Sequence, residues 1–249
     1  MHPSSSREPV FNVPGVLIAT LVALVVIHGL RSFLSEPADI EVLLLFAFIP
    51  ARYDANILAN AAWPGGIGAD FWTFVTYALL HADWMHLLFN SVWLLAFGTP
   101  LARRFGPARF LAFCAVSAAA GALAHLMTHF GEMIPMIGAS GAVSGAMSGA
   151  MRFAFQRGGP LSFGGSRESY RVPALSLAES FRDPRVLAFL AVWFGLNLLF
   201  GLGSVSITGN EQPVAWQAHV GGFIAGLVLF SWFDPVGPAA PQRSERSAA

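Results

Sequence analysis

Six long apolar runs constrain this chain more than any other feature. Residues 14–34, 74–97, 110–130, 138–155, 185–202 and 214–233 each carry about twenty residues with little or no charge. That is about the length a helix needs to cross roughly 30 Å of hydrocarbon. Hydrophobic residues make up 55% of the chain and charged ones 11%, less than half the roughly 25% of a soluble domain. An all-α membrane protein with six transmembrane helices is therefore expected. Residues 14–233 would form the membrane domain, 1–13 a cytoplasmic N-terminal segment, and 234–249 a disordered cytoplasmic tail rich in Pro, Ala, Ser and Arg. Arg7 beside Glu8 is a weak positive region, and no small-residue cleavage site precedes Arg31. The first run therefore reads as a spanning helix and not as a cleaved signal.

Between the first two runs lies a long outer loop, 35–73. Its apolar piece 42–49 is too short to span and reads as interfacial or re-entrant, and Trp63, Phe71 and Trp72 suit the headgroup belt. Orientation follows from arginine, because the chain contains no lysine. With both termini inside, Arg103, Arg104, Arg109, Arg157, Arg167, Arg171 and Arg182 fall in cytoplasmic loops, with Arg243 and Arg246 in the tail. Only Arg31 and Arg52 lie outside, among Glu36, Asp39, Glu41, Asp54, Asp70, Glu132 and Glu211. Arginine without lysine and abundant Ala and Gly point to a bacterial source, hence to the inner membrane. A formal net charge of zero gives no pointer to nucleic acid, and the single Cys114 cannot form an internal disulfide.

Two glycine-striped segments carry polar residues. The fourth run opens Gly138-Ala139-Ser140-Gly141 and continues with Gly145 and Gly149; the sixth holds Ala218-His219 with Gly222 and Gly226. Glycines four apart share one helix face and let a neighbouring backbone approach closely. Alone, a serine in such a stripe reads as packing, but an intramembrane histidine is a functional candidate by default. Together they offer a hydroxyl nucleophile and the neutral imidazole that takes its proton. Ser140 lies twelve residues before Arg152, roughly 18 Å along a helix and so about 12 Å below the outer boundary of the hydrocarbon core. A helix that starts at that depth exposes free N–H groups and the positive end of its dipole to a cavity. His86 and Asn90 are four apart and share a face. They could supply oxyanion donors or merely interhelical hydrogen bonds. His125 and His129 have the same spacing, but only Glu132 is near and there is no HExxH pattern, so no metal and no cofactor are expected. His28 and His81 read as structural.

These motifs resemble the rhomboid family of intramembrane serine proteases. The matches are the Gly138-Ala139-Ser140-Gly141 turn, Ala218-His219 with Gly222 and Gly226, and the His81/His86/Asn90 cluster, on the second, fourth and sixth helices. The resemblance implies a six-helix rhomboid-like bundle and an endopeptidase that cuts in or near the transmembrane segments of partner proteins. It implies Ser140 as nucleophile and His219 as base and then acid, a dyad without a carboxylate. His86, Asn90 and the Ser140 N–H would bind the oxyanion. The partners implied are transmembrane substrates and the bilayer. Separately, the Gly- and Ser-rich stretch 201–213 reads as a flexible cap over the Ser140 pocket that moves to admit water and substrate. Two positions depart from the family pattern: Thr73, not Arg, follows Trp72, and Ser144 replaces a Tyr that stacks under the histidine. The alternatives are a catalytically silent relative that escorts membrane proteins and a small transporter, though no internal repeat favours the latter.

Overall fold

A computed structural model describes residues 13–58, 63–161, 167–201 and 214–237. Its helices are α1 (Gly15–Arg31), α2 (Glu36–Phe46), α3 (Gly66–Thr76), α4 (Trp84–Phe105), α5 (Pro107–Thr128), α6 (Ser140–Met151), α7 (Pro184–Gly201) and α8 (Trp216–Phe233). Among the described residues there is no β-strand, only an isolated antiparallel bridge between Phe48 and Met136. Three helices, α4, α5 and α8, are long and apolar enough to cross a membrane; α1 and α7 are shorter apolar helices, and α6 has 12 residues.

The second span starts at Trp84 and not at residue 74. Asp83 caps it, its Oδ1 accepting the His86 N–H at 2.8 Å. Residues 74–76 instead complete α3, followed by a 3-10 turn at Tyr77–Leu79. Hydropathy merges these pieces because it does not register a cap. One π-helical turn, Leu94–Gly98, lies within α4. At its far end Gly106, with φ of 77°, and Pro107 break the chain so that α5 can turn back.

The centre of the bundle is α6, buried at every residue from Gly141 to Met151. Its composition allows this, because the glycine face lets α8 touch its backbone. A Cβ on Gly222 would run into the Gly141 carbonyl, and one on Gly226 would lie 2.6 Å from the Gly145 Cα. On α5, a Cβ at Gly121 would come within 2.8 Å of the Ala218 carbonyl oxygen. Such close approach of small residues, and not hydrophobic burial, drives helix association in lipid.

At one end of the bundle arginines tie helix termini together. The buried Arg104 makes a bidentate pair with Asp234, at 2.7 and 2.8 Å, and donates to the Tyr170 and Val172 carbonyls. Arg152 donates to the carbonyls of Leu175 and Leu227. At the other end the outer loop is ordered by Arg52, which is 1% exposed. It donates to the Leu44 carbonyl at 2.6 Å, pairs with Asp70 at 3.6 Å and lies over the Trp63 ring. Thus an arginine does anchor this loop, from position 52. Thr73 instead donates to the Ala69 carbonyl and meets the Tyr53 hydroxyl. Trp72 Nε1 and Thr76 Oγ1 donate to the Leu45 and Phe46 carbonyls, which fastens α3 to the end of α2. The expected interfacial piece 42–49 is therefore the second half of α2 and the extended residues that pair Phe48 with Met136.

Candidate active site

Ser140 is the first residue of α6, half-buried at the head of the glycine face. The turn before it is unusual. Gly138 adopts φ of 121°, a conformation other residues rarely adopt. Its N–H donates to the Tyr77 carbonyl at 3.0 Å, and the Ala139 N–H points at His81 Nε2, 3.5 Å away. Intrahelical bonding begins with Val143 donating to the Ala139 carbonyl. The N–H groups of Ser140, Gly141 and Ala142 therefore have no carbonyl within their own helix to bond.

His86 and Asn90 lie against this turn. A Cβ on Gly138 would fall 2.7 Å from both Cε1 and Nε2 of His86, and 3.8 Å from Asn90 Nδ2. The glycine thus leaves room for the imidazole as well as for the backbone twist. Asn90 is buried and also donates to the His86 carbonyl at 3.1 Å. His81, fully buried, sits edge-on to His86 with ring centroids 5.1 Å apart, and its carbonyl accepts from Arg31, itself paired with Asp39. His81 therefore supports the turn.

His219 arrives on α8 one residue after Ala218, whose carbonyl oxygen lies 3.6 Å from where a Gly141 Cβ would be. Tyr77, buried, fills the junction of α5, α6 and α8 and donates to the Ala118 carbonyl at 2.9 Å. Among the described residues no hydrogen bond joins Ser140 to His219. Instead Nδ1 of His219 meets Oδ1 of Asn197, from α7, at 2.6 Å. Catalytic hydrogen bonds are often open before substrate binds. The Ser140 and His219 backbones are therefore adjacent, but their side chains are not joined.

Asn197 escaped the sequence reading. Its signal was a lone amide among the apolar residues between Arg185 and Gly201, where a polar group needs a partner. Of the remaining histidines, His28 lies close to His81 and His86, whereas His125 and His129 form a separate pair. His28 packs edge-on against Trp84, and His125 stacks on His129 with centroids 4.2 Å apart. Among the described residues no three His, Cys, Asp or Glu side chains gather as metal ligands. The expected cap 201–213 lies outside the described residues apart from Gly201, as do the tail beyond residue 237 and most of the N-terminal segment.

Comparison with known proteins bears on the whole arrangement. The rhomboid domain matches residues 68–233, from α3 through α8. The chain is 29% identical over 167 residues to the mitochondrial RHOMBOID-like protein 12 of Arabidopsis thaliana, covering 64% of this chain and 45% of that protein. It is 39% identical over 81 residues to the putative rhomboid protease YdcA of Bacillus subtilis, covering 32% and 39%. To the rhomboid protease GlpG of Pectobacterium atrosepticum it is 28% identical over 181 residues, covering 71% and 54%. The aligned part thus spans about half or less of each relative's length. A match of this extent, over the helices that carry Ser140, His219, His86 and Asn90, means that the chain belongs to the rhomboid family of integral membrane proteins.

Proposed function

We propose that this protein is an intramembrane serine endopeptidase that hydrolyses peptide bonds in or near transmembrane segments of other membrane proteins. The observation that carries the reading is the Gly138 turn. It leaves three N–H groups at the head of α6 without a carbonyl partner in their own helix, brings His86 Nε2 and Asn90 Nδ2 alongside, and leads Ser140 in next to the backbone of the His219 helix. Those are the parts an acyl transfer needs, namely a nucleophile, a base and donors for an oxyanion.

In the proposed reaction, Ser140 Oγ attacks the scissile carbonyl carbon while His219 Nε2 takes the hydroxyl proton. The carbonyl oxygen becomes an oxyanion, bound by the Ser140 N–H, the Asn90 amide and the His86 ring. Collapse of this adduct breaks the C–N bond, and His219 passes its proton to the departing amine. Water then repeats the sequence on the Ser140 ester and releases the acid. No cofactor takes part. A helix hides its carbonyls in its own hydrogen bonds, so the substrate must unwind locally to enter. Residues favouring unwinding, with Ala or Gly at the cut, are the expected substrate features. The proposed setting is a bacterial inner membrane crossed six times, with the arginine-rich end and both termini in the cytoplasm.

A fluorescent fluorophosphonate applied to detergent-purified protein tests the reading, with Ser140→Ala and His219→Ala alongside. Labelling of the wild type alone is the expected result. A well-folded wild type that neither labels nor cuts a model transmembrane substrate would favour the silent escort reading instead.

A further inference from the structure

His219 needs something to aim it. The tyrosine that the family pattern places four residues after the nucleophile is Ser144 here, and no carboxylate is hydrogen-bonded to the ring among the described residues. We propose that Asn197 is the positioning residue of this site, holding His219 with its proton on Nδ1 so that the Nε2 lone pair faces Ser140. This rests on the protease reading and extends the proposed pair to a Ser-His-Asn arrangement spread over α6, α8 and α7, with the asparagine orienting the ring.

The argument begins with the amide. Asn197 has an oxygen that accepts and a nitrogen that donates, and the two ends are told apart by their partners. Its Nδ2 donates to the Trp193 carbonyl, one turn earlier on the same helix, at 2.8 Å. A carbonyl can only accept, so the amide nitrogen is committed there. The oxygen is therefore the end that meets His219 Nδ1, 2.6 Å away. An oxygen acceptor requires a hydrogen on Nδ1, and in a neutral imidazole the other nitrogen is then bare. A base that takes the proton of Ser140 has to be in that tautomer.

The support is itself anchored. Trp193 is 6% exposed and packs on Phe223 of α8, with ring centroids 4.4 Å apart. Phe223 is four residues beyond His219 on the same helix face. The aromatic contact therefore fixes α7 against α8 at the level where the amide crosses. The Nδ1–H bond also steadies the imidazolium that forms when the proton arrives, the role an asparagine plays beside histidine in papain-like enzymes.

The alternative role for an asparagine in lipid is plain adhesion between helices, which would affect stability and nothing else. Asn197→Ala, Asn197→Leu and Asn197→Asp should therefore be compared with wild type by three readouts: kinetics on a transmembrane substrate, melting temperature, and 15N NMR of histidine-labelled protein. The His219 signal is assigned by its loss in His219→Ala. Wild type should show a protonated Nδ1 and a bare Nε2. Asn197→Ala and Asn197→Leu should lose that preference and about 10- to 100-fold in kcat, the scale on which orienting partners act elsewhere, with KM within about twofold. Asn197→Asp keeps an acceptor oxygen and should recover part of kcat and the Nδ1–H signal. The proposal is overturned if Asn197→Ala keeps the wild-type tautomer, or if its kcat falls only as far as Asn197→Asp falls while melting drops equally in both. A wild type silent towards substrate and fluorophosphonate would refute the protease reading, and the NMR comparison would still decide whether Asn197 sets the ring.

Discussion

Replacing Gly222 by alanine puts one methyl group where α8 rests on the backbone of α6. The added carbon would sit 2.8 Å from the Gly141 carbonyl carbon and 3.1 Å from its Cα. Carbon–carbon contact becomes comfortable at about 3.5 Å, so α8 must retreat by at least about 0.7 Å to relieve the 2.8 Å contact. Neither partner can yield by a rotamer change, because both are main chain inside a buried helix. Overpacking of this kind costs about 1–3 kcal/mol, while alanine regains nearly 1 kcal/mol over glycine in helix propensity. The net loss of stability is thus small, roughly 0–2 kcal/mol. On the proposed mechanism the effect on cleavage is larger, since His219 lies one turn before Gly222, and a displacement near 1 Å can cost on the order of 100-fold in rate. Gly222→Ala should therefore melt within a few degrees of wild type yet cleave a transmembrane substrate tens to a hundred times more slowly. Gly29→Ala on α1, where a Cβ meets nothing closer than 4.0 Å, is the control that should keep both properties. Wild-type cleavage by Gly222→Ala would refute the claim that this backbone contact sets the spacing of Ser140 and His219.

Three further outcomes are expected. Gly138→Ala must strain a backbone at φ of 121° and push into the His86 ring. It should lower kcat by about 100- to 1000-fold, as loss of an oxyanion donor does, with fluorophosphonate labelling slowed in parallel. Arg104→Ala leaves the buried Asp234 carboxylate without its bidentate partner. It should destabilise by about 3–5 kcal/mol, whereas the double replacement Arg104→Met with Asp234→Leu should restore much of that in thermal unfolding. Arg52→Ala releases the Leu44 and Pro64 carbonyls and the Asp70 pair, so limited proteolysis should cut the 35–73 loop faster while the helices stay intact.

Much of the candidate site was legible because it depends on short-range spacing. Glycines four apart define a face on any helix, so the stripes at 141, 145 and 149 and at 222 and 226 announced two backbones able to meet. His86 and Asn90 share a face for the same reason. What the sequence hid depends on contacts between segments distant in the chain. Hydropathy extended the second span back to residue 74, although Asp83 was a readable cap, because apolar α3 and the Tyr77–Leu79 turn continue the run. Thr73 in place of an arginine after Trp72 left open how the outer loop is anchored, and only the folded chain shows Arg52 donating to the Leu44 and Pro64 carbonyls. Asn197 looked like one polar residue in a greasy helix, and only the folded arrangement shows that its oxygen faces a histidine 22 residues away.

The burial of α6 has a consequence for biosynthesis. Its twelve residues, rich in Gly and Ser, are a poor match for lipid on their own, and they gain an apolar environment only from the helices that enclose them. The helix bringing His219 is made after every other described helix, with 79 residues of synthesis separating positions 140 and 219. At roughly 5–20 residues per second that is an interval of between about 4 and 16 s. Throughout it Ser140 would exist in the membrane without the histidine proposed as its base. If the proposed protease reading holds, a ribosome-bound intermediate would thus be inert towards the nascent membrane proteins around it, and competence to cut would switch on only when α8 slides its glycines onto α6.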